Sequence, residues 1–362
     1  MVAVINELGR YWLEGASQAA EGVLRTLRDP YPIEDEPSGA TPFEIVHRSE
    51  VLRLRYYRAR VRICDTPLLV VYALIKRPFI LDLLPGRSVI ETLTCCGLDV
   101  YMTDWIPPRR EDSWRGFDDY VNCELHDAVR AVQRRTGAAR INVLGYCFGG
   151  VLALLWTALY PETVRSLVTL ATPVDARVPN SLLFAAAGRL SETVAPLIEM
   201  YGNCPGWFIN ACFKSMAPVH HALSKYVDLY RNRSGPGYTE MFRLFERWMD
   251  SDVPMTGAIF REVTEQLFHR NLLVRSEFRV GRACAKLKNI TCPLLNVIGE
   301  YDDVVPPRSS VGLGQAVGSR DFSDVSYPAG HVGTAVSGGA QRKLWPQVAQ
   351  WLVSRSQIGT GG

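Results

Sequence analysis

Cys147, Asp302 and His331 provide a thiol, a carboxylate and an imidazole, the three groups that covalent acyl transfer can use. A thiolate attacks a carbonyl carbon, an imidazole removes the thiol proton and later returns it, and a carboxylate fixes the imidazole tautomer. The three residues follow one another as nucleophile, acid and histidine, with a long first interval and a short second one. Their types and order therefore predict a cysteine-dependent catalytic triad.

Cys147 lies in the hexapeptide GYCFGG at 145–150, which has the form G-x-nucleophile-x-G. An apolar, β-branched run precedes it at 140–144, and a helix-compatible apolar run follows at 151–156. Strand, sharp turn and helix in this order form the nucleophile elbow of an α/β-hydrolase, where serine is the usual nucleophile. The positive end of the helix dipole would favour a thiolate there. The alternative interpretation is a buried structural cysteine in a Gly-rich turn.

The contexts of Asp302 and His331 match the other two positions of this triad. Asp302 comes just after the strand candidate at 293–298, and His331 lies in a Gly-flanked loop after a strand candidate at 325–327. Asp303 is an alternative acid, and Asp302 could instead cap a helix. The remaining histidines lack this strand-end context: His47, His126, His220, His221 and His269.

Two backbone N–H groups are expected to stabilise an oxyanion beside Cys147. The first belongs to Phe148, the residue after the nucleophile. The second is expected in the loop after the first core strand, at 73–75, and we assign it to Leu74.

The elements around these residues alternate between strand and helix. The strand candidates lie at 67–72, 98–103, 141–144, 164–170, 293–298 and 325–327. The helix candidates include 80–96, 117–135 and 341–354. This alternation predicts an α/β fold with a mostly parallel sheet and helices on both faces. Cys95 and Cys96, at the end of a predicted helix, are expected in the core.

The sequence predicts three parts. Residues 1–45 form an N-terminal amphipathic helix and a linker, 46–175 and 289–356 form the α/β-hydrolase core, and 176–288 form an inserted, largely helical cap. The apolar stripe of the N-terminal helix suits docking to a partner or an apolar particle, or packing on its own domain. The aromatic-rich insertion suits a cap over the active site, or a second packing layer with no role in access.

The composition is that of a globular protein: 362 residues, 47% hydrophobic and 21% charged. A net charge of +3 without a basic block argues against nucleic-acid binding. The odd number of cysteines, nine, and the lack of a signal-peptide pattern favour reduced thiols in a cytoplasm. The cysteines are scattered without a C-x-x-C pair, so we expect no metal site. The apolar runs are too short for a transmembrane segment, and we expect no cofactor.

Taken together, these motifs resemble polyhydroxyalkanoate synthases, specifically the short class III catalytic subunit. The resemblance runs from about residue 67 to the C-terminal helix and includes the elbow at 145–150. The other stretches that carry it are TPLLVVYAL at 66–74, DVYMTDW at 99–105, LVTLATPVD at 167–175, NITCP at 289–293, DDVVPP at 302–307, GHVG at 330–333 and VSG at 336–338.

The resemblance implies that Cys147 carries the growing acyl chain as a thioester and that His331 activates the thiol. Asp302 would assist deprotonation of the substrate 3-hydroxyl or orient His331. The substrate would be a short-chain (R)-3-hydroxyacyl-CoA, with 3-hydroxybutyryl-CoA favoured, and CoA would be released. The resemblance also implies a second, non-catalytic synthase subunit, a homodimer or hetero-oligomer, and a cytoplasmic location at the surface of polyester granules.

The chain departs from the family pattern at two positions. Asp303 stands where histidine is usual after the acid, so two adjacent carboxylates are expected to affect the pH dependence. Phe148 replaces a residue that is often polar. Two other functions remain open: a cysteine-dependent hydrolase of the dienelactone hydrolase or thioesterase type, and a non-catalytic granule-associated subunit. The large insertion argues against the first, and the complete triad argues against the second.

Overall fold

A computed structural model describes residues 39–178, 194–216 and 238–356. An eight-stranded sheet lies at its centre. The strands, in chain order, are β1 (Glu44–Arg48), β2 (Leu52–Tyr57), β3 (Leu68–Val71), β4 (Val100–Trp105), β5 (Ile141–Tyr146), β6 (Val164–Leu170), β7 (Leu294–Gly299) and β8 (Phe322–Tyr327). Their order across the sheet is β1-β2-β4-β3-β5-β6-β7-β8. The contiguous run from β4 to β8 is parallel, and β1 and β2 form an antiparallel edge.

Helices flank this sheet and make up most of the described insertion. The α-helices are α1 (Val89–Cys95), α2 (His126–Thr136), α3 (Phe148–Leu159), α4 (Gly206–Met216), α5 (Tyr238–Met249), α6 (Gly257–Glu262), α7 (Pro307–Val311), α8 (Leu313–Ala316), α9 (Gly333–Val336) and α10 (Gly338–Arg355), and residues 194–201 are also helical. A π-helical turn at Asp118–Leu125 leads into α2, and another at Val263–His269 follows α6. Helix α1 packs against α10, whereas α3 packs against the first π-helical segment, so the helices form two layers.

The central parallel strands are rich in apolar, buried residues. Strands β3 and β5 are buried at every position, which is expected for strands covered by helices on both faces. The helix ends are capped by side chains: the Ser88 hydroxyl accepts the Glu91 N–H at the start of α1. The Ser337 hydroxyl accepts the Ala340 N–H at the start of α10. The predicted α/β architecture is therefore present.

The helix predicted at 80–96 is wrong in its first half. A 3₁₀ turn at Pro78–Leu81 and a short antiparallel pair, Asp82–Leu84 with Arg87–Ser88, precede the helix. Gly86, at φ +71°, makes the turn of this pair, and the helix begins only after Ser88 caps it. Cys95 is exposed and Cys96 is half-buried, so the expectation of two core cysteines is wrong for Cys95.

The antiparallel edge, β1 and β2, was not predicted. The sequence of β2, LRLRYY, alternates between apolar residues and arginine, and the arginines find a buried acid. Arg53 and Arg55 on β2 bind the Asp104 carboxylate of β4 at 2.9 Å and 2.7 Å. These buried ion pairs link β2 to β4, and the Asp104 charge is compensated by both arginines.

The described parts of the predicted cap contain α4, α5 and α6. They also contain two short antiparallel pairs: Asn203–Cys204 with Met255–Thr256, and Phe278–Val280 with Ala283–Ala285. The domain boundaries and the covering role of this insertion stay predictions. The predicted N-terminal helix lies outside the described residues. Among the residues that the structure describes, no helix has the length and apolar character needed to cross a membrane.

Candidate active site

Cys147 occupies the sharp turn between β5 and α3. Its backbone has φ 56° and ψ −123°, a strained conformation for a residue with a side chain. The turn is held by a hydrogen bond from the Cys147 N–H to the Leu170 carbonyl at 2.8 Å. The Gly150 N–H donates to the Cys147 carbonyl at 2.9 Å. Strain of this kind presents the Cys147 side chain at the edge of the sheet, as the elbow motif predicts.

Two glycines of the elbow are needed because other groups approach them closely. A Cβ at Gly149 would lie 2.1 Å from the Val71 carbonyl oxygen of β3. A Cβ at Gly150 would lie 1.9 Å from the Thr172 hydroxyl oxygen. The absence of side chains therefore lets α3 pack directly on the ends of the strands.

The structure brings the three predicted triad residues together. His331 Nδ1 lies 2.7 Å from Asp302 Oδ2, and Cys147 is among the groups that raise the pKa of His331. Because Nδ1 is used by Asp302, Nε2 is the ring nitrogen left for Cys147. Asp302 Oδ1 accepts the N–H groups of Val304 and Val305 at 2.9 Å and 2.7 Å. Both carboxylate oxygens are thus occupied, which fixes the orientation of the imidazole.

The electrostatics of the site favour a charged imidazole. Burial alone would lower the pKa of His331, but the negative charges of Asp302 and Cys147, and hydrogen bonds to both, raise it well above its ordinary value. The Cys147 side chain is half-buried and so can be reached from solvent, whereas His331 and Asp302 are buried. This arrangement suits a thiolate–imidazolium pair.

The alternatives to these residues are not at the site. The Asp303 side chain is exposed, so Asp302, at 5% exposure, is the acid that contacts His331. His47 lies on β1, His126 begins α2, and His269 is exposed at the end of a π-helical segment. His220 and His221 lie outside the described residues.

The two predicted oxyanion donors, Phe148 and Leu74, lie in different elements. Phe148 is the first residue of α3, so its N–H has no acceptor within the helix, and its ring packs against Phe117 at 5.9 Å. Leu74 is buried in the loop after β3. In the same loop the Tyr72 N–H is already used, since it donates to the Thr103 hydroxyl at 2.9 Å. Both predicted donors stay predictions.

The loop after β3 is anchored to the insertion by Lys76. This lysine is buried, has φ 66°, and donates to the Asn210 side chain of α4 and to the carbonyl of Met249. It also donates to the carbonyl of Ser251 at 3.4 Å. The loop that should provide an oxyanion donor therefore has its position set by contacts with the insertion.

Three aromatic residues at the site were not identified from the sequence. Tyr146, directly before the nucleophile, stacks on the His331 ring at 5.3 Å. Tyr72 lies 6.0 Å from Tyr146 between ring centroids, and the indole N–H of Trp248 donates to the Tyr72 hydroxyl at 3.2 Å. The position of Tyr146 beside Cys147 was a usable signal, but nothing in the sequence pairs Trp248 with Tyr72. Within the described ranges, no group of three His, Cys, Asp or Glu side chains is placed to hold a metal ion.

Comparison with known proteins agrees with this geometry. Residues 66–334 match the family described as alpha/beta hydrolase fold. The chain is 34% identical over 353 residues to the poly(3-hydroxyalkanoate) polymerase subunit PhaC of Thiocystis violacea, with 97% of this chain and 98% of the relative covered. The chain belongs to the PhaC family. The PhaC of Haloferax mediterranei is 35% identical over 347 residues, covering 95% of this chain and 70% of that protein.

Solved structures support the fold of this PhaC family member. A monoacylglycerol lipase from Paleococcus ferrophilus superposes with a TM-score of 0.52 at 15% identity, over 83% of this chain and 99% of that one. A putative lipase from Acinetobacter baumannii gives 0.51 at 15% identity, over 87% and 91%. At this identity the likeness shows the fold alone. The predicted α/β-hydrolase fold and the resemblance to polyhydroxyalkanoate synthases are both confirmed.

Proposed function

We propose that this PhaC family member polymerises (R)-3-hydroxyacyl-CoA, with 3-hydroxybutyryl-CoA as the favoured substrate, into polyhydroxyalkanoate with release of CoA. The observation that carries the proposal is the buried His331–Asp302 pair, 2.7 Å apart, together with the half-buried Cys147 at the strained turn after β5. Family membership supplies the reaction class, and this geometry supplies the groups that perform it.

In the first step the Cys147 thiolate attacks the thioester carbonyl of the acyl-CoA. A bond forms between Sγ and the carbonyl carbon, and the π electron pair moves to the oxygen, whose stabilisation we assign to the Phe148 N–H. Collapse of this intermediate breaks the bond to the CoA sulfur, which leaves with a proton from His331. The acyl group is then held on Cys147 as a thioester.

In the elongation step the 3-hydroxyl oxygen of one acyl unit attacks the thioester carbonyl of another. A C–O ester bond forms, the C–S bond of that thioester breaks, and the released thiolate takes up the proton by way of the base. A base must remove the hydroxyl proton as the ester bond forms. Asp302 is poorly suited to this, because Oδ2 is used by His331 and Oδ1 by two backbone N–H groups. We therefore assign the base to His331 and the orienting role to Asp302.

Cysteine suits this chemistry better than serine would. Thiolate attack on a thioester exchanges one thioester for another of similar energy, so the acyl chain can be handed over without being trapped. The raised pKa of His331 is consistent with this chemistry, since a charged imidazole at the site can give a proton to the leaving CoA sulfur.

We also propose a partner subunit and a cellular location for this chain. The relatives from Thiocystis violacea and Haloferax mediterranei are named as subunits, which supports a second, non-catalytic synthase subunit for this chain as well. We place the active assembly, a homodimer or a hetero-oligomer, in the cytoplasm at the surface of polyester granules. The substrate and product fit that surface, because the substrate is water-soluble and the polymer is not.

The test is CoA release from (R)-3-hydroxybutyryl-CoA by the wild-type protein and by Cys147→Ala, with the product checked for polyester. Release with polymer in the wild type, and neither in the variant, is the expected result. The assay is run with and without the second subunit of a PhaC relative. Release of CoA and free 3-hydroxybutyrate without polymer would overturn the proposal in favour of a cysteine-dependent hydrolase. No release under either condition, from folded protein, would favour a non-catalytic subunit.

A further inference from the structure

Tyr72 stands at the end of β3, beside the strand that carries the nucleophile. Strand β3 pairs with β5 in parallel, with Val71 opposite Gly145. The next residues, Tyr72 and Tyr146, therefore lie side by side at the carboxyl ends of the two strands, 6.0 Å apart between ring centroids. The Tyr146 ring in turn stacks on His331. This row of rings places the Tyr72 phenol at the active site, although the triad does not use it.

The backbone N–H and carbonyl of Tyr72 both have hydrogen-bond partners. Its N–H donates to the Thr103 hydroxyl at 2.9 Å, and its carbonyl accepts the indole N–H of Trp105 at 2.8 Å. The backbone is therefore held in place and has no N–H to offer a substrate. Only the side-chain hydroxyl is left to act.

The Tyr72 hydroxyl accepts a hydrogen bond but donates none to a described residue. It accepts the indole N–H of Trp248 at 3.2 Å, and this indole also donates to the Arg77 carbonyl at 2.9 Å. Within the part of the chain that the structure describes, the phenolic proton has no acceptor, although Tyr72 is only 1% exposed. Buried O–H groups in folded proteins almost always have a partner. The proton is thus available to an acceptor that arrives with the substrate.

The Tyr72 phenol stays neutral, so it keeps a proton that it can donate to a substrate oxygen. Burial raises the pKa of Tyr72, the hydrogen bond from Trp248 opposes this, and the negative charge of Cys147 raises the pKa further. A neutral O–H near an attacking thiolate is suited to the negative charge that moves from the sulfur to the carbonyl oxygen during attack.

We propose that the Tyr72 hydroxyl donates a hydrogen bond to the thioester carbonyl oxygen as Cys147 attacks, and so serves as the second oxyanion donor beside the Phe148 N–H. This assignment replaces the Leu74 N–H expected from the sequence, and it rests on the proposed acyl transfer. The Sγ–C bond forms and the carbonyl π pair moves to the oxygen, which accepts both hydrogen bonds. The C–S bond to CoA then breaks, and the tyrosine keeps its proton throughout.

Trp248 is a positioning residue in this arrangement. It lies on α5, in the insertion, and its indole N–H occupies an acceptor position of the Tyr72 oxygen. The hydroxyl proton is thereby directed away from the insertion. Through the hydrogen bond from Trp248, the insertion therefore orients the Tyr72 hydroxyl, the proposed oxyanion donor on the core sheet.

The test compares Tyr72→Phe with the wild type in the first turnover of CoA release, measured by rapid quench. Loss of one oxyanion donor should lower the acylation rate by about 10²–10³-fold. The KM should change little, because the contact forms in the transition state. Alkylation of Cys147 by iodoacetamide, which needs no oxyanion, should keep its wild-type rate. Tyr101→Phe, at another fully buried tyrosine in the same sheet, should leave all three quantities unchanged.

A wild-type acylation rate in Tyr72→Phe would overturn the assignment and return the role to a backbone N–H such as that of Leu74. Equal losses in acylation and in alkylation would also overturn it, since they would mean general damage to the site. If Tyr72→Phe does not fold, Trp248→Phe tests the donor role instead. It should slow the acylation of Cys147 but not its alkylation. An unchanged acylation rate in this variant would overturn the proposal. Where Tyr72→Phe folds, adding Trp248→Phe to it should cause no further loss.

The failure of this inference can be told apart from failure of the proposed function. Wild-type protein that releases no CoA from the hydroxyacyl-CoA would remove the polymerase function alone. Acetylation of Cys147 by p-nitrophenyl acetate, followed by mass spectrometry, measures the same attack on a carbonyl with a simple ester. Tyr72→Phe should slow this acetylation as well, and an unchanged rate would refute the donor role whatever the natural substrate is.

Discussion

The Nδ1 atom of His331 lies 2.7 Å from the Oδ2 atom of Asp302, and both side chains are buried. The second oxygen of Asp302 is held by the backbone N–H groups of Val304 and Val305. The carboxylate therefore cannot rotate away without losing three hydrogen bonds. This rigidity directs the other ring nitrogen of His331 at Cys147.

Replacing Asp302 with asparagine should leave the fold intact and remove the tautomer control. We expect kcat for CoA release to fall on the order of 10³–10⁴-fold, as for the loss of a triad carboxylate elsewhere. Iodoacetamide alkylation of Cys147 at neutral pH should slow as well, because the imidazolium that stabilises the thiolate loses its partner.

Asp303→Asn is the matched control, since the Asp303 side chain is exposed and neighbours Asp302 in sequence. It should change kcat by less than about threefold, because exposed charges are screened by solvent. A large loss of kcat in Asp303→Asn with a small loss in Asp302→Asn would show that Asp303, not Asp302, is the acid that orients His331.

The raised pKa of His331 predicts how stability depends on pH. The folded pKa is raised by Asp302 and Cys147 against the opposing effect of burial. The stabilisation from the charged imidazole is therefore fully present below the unfolded value of about 6.5 and is lost as the pH rises through the higher folded value. Urea unfolding between about pH 6 and about pH 10 should show the wild type losing its advantage over His331→Asn with increasing pH.

His269→Asn provides the control for that series, because His269 is exposed and lies away from the triad. Its difference from the wild type should be small at every pH. An advantage of the wild type over His331→Asn that grows with pH would mean that folding favours the neutral imidazole, contrary to the arrangement described here.

The elbow predicts a steep cost for adding a single methyl group. In Gly150→Ala the new Cβ would lie 1.9 Å from the Thr172 hydroxyl oxygen, on a residue that is fully buried. Displacing these groups should cost about 1–3 kcal/mol in the free energy of unfolding, as overpacking of a core usually does. The movement of α3 should also lower the rate of Cys147 alkylation.

Gly312→Ala is the comparison, because nothing lies within 4 Å of its added Cβ and its backbone, at φ −73°, accepts any residue. This variant should be neutral or more stable by about 0.4–1 kcal/mol. Equal stability of the two variants in urea would show that the elbow is less tightly packed than described.

The sequence was sufficient to predict what depends on local pattern and chain order. The GYCFGG elbow, the apolar strands and the strand-end positions of Asp302 and His331 together predicted the triad that the structure brings together. Strand Val164–Leu170 was predicted with its observed bounds. These features are short-range, so each is visible in a window of a few residues.

What the sequence did not reveal depends on contacts between distant residues. Strand β2 was missed because its arginines look like solvent-exposed residues until Asp104, on another strand, is placed against them. The hydrogen bond from Trp248 to Tyr72 joins residues far apart in the chain. The start of α1 was misplaced because the turn at Gly86 competes with helix-compatible flanks. In each case tertiary packing decides between local alternatives.

Lys76 offers a test of how the insertion is attached to the catalytic core. Its ammonium group is buried and donates to the Asn210 side chain and to the carbonyls of Met249 and Ser251. It also lies 5.8 Å from the centre of the Trp248 ring. Lys76→Met keeps most of the side-chain volume but leaves buried acceptors without this donor. We expect a loss of about 1–3 kcal/mol in the free energy of unfolding, measured in urea.

Lys288→Met separates this effect from the loss of any lysine that binds carbonyls. Lys288 donates to the carbonyls of Gln315 and Val317 at 2.8 Å and 3.1 Å, but it is exposed, so water can replace it. This variant should lose less than about 0.5 kcal/mol. Because Lys76 lies in the loop after β3, Lys76→Met should also slow acylation of Cys147 while Lys288→Met does not. Equal losses of stability in the two variants, with acylation unchanged in both, would show that the insertion does not position this loop through Lys76.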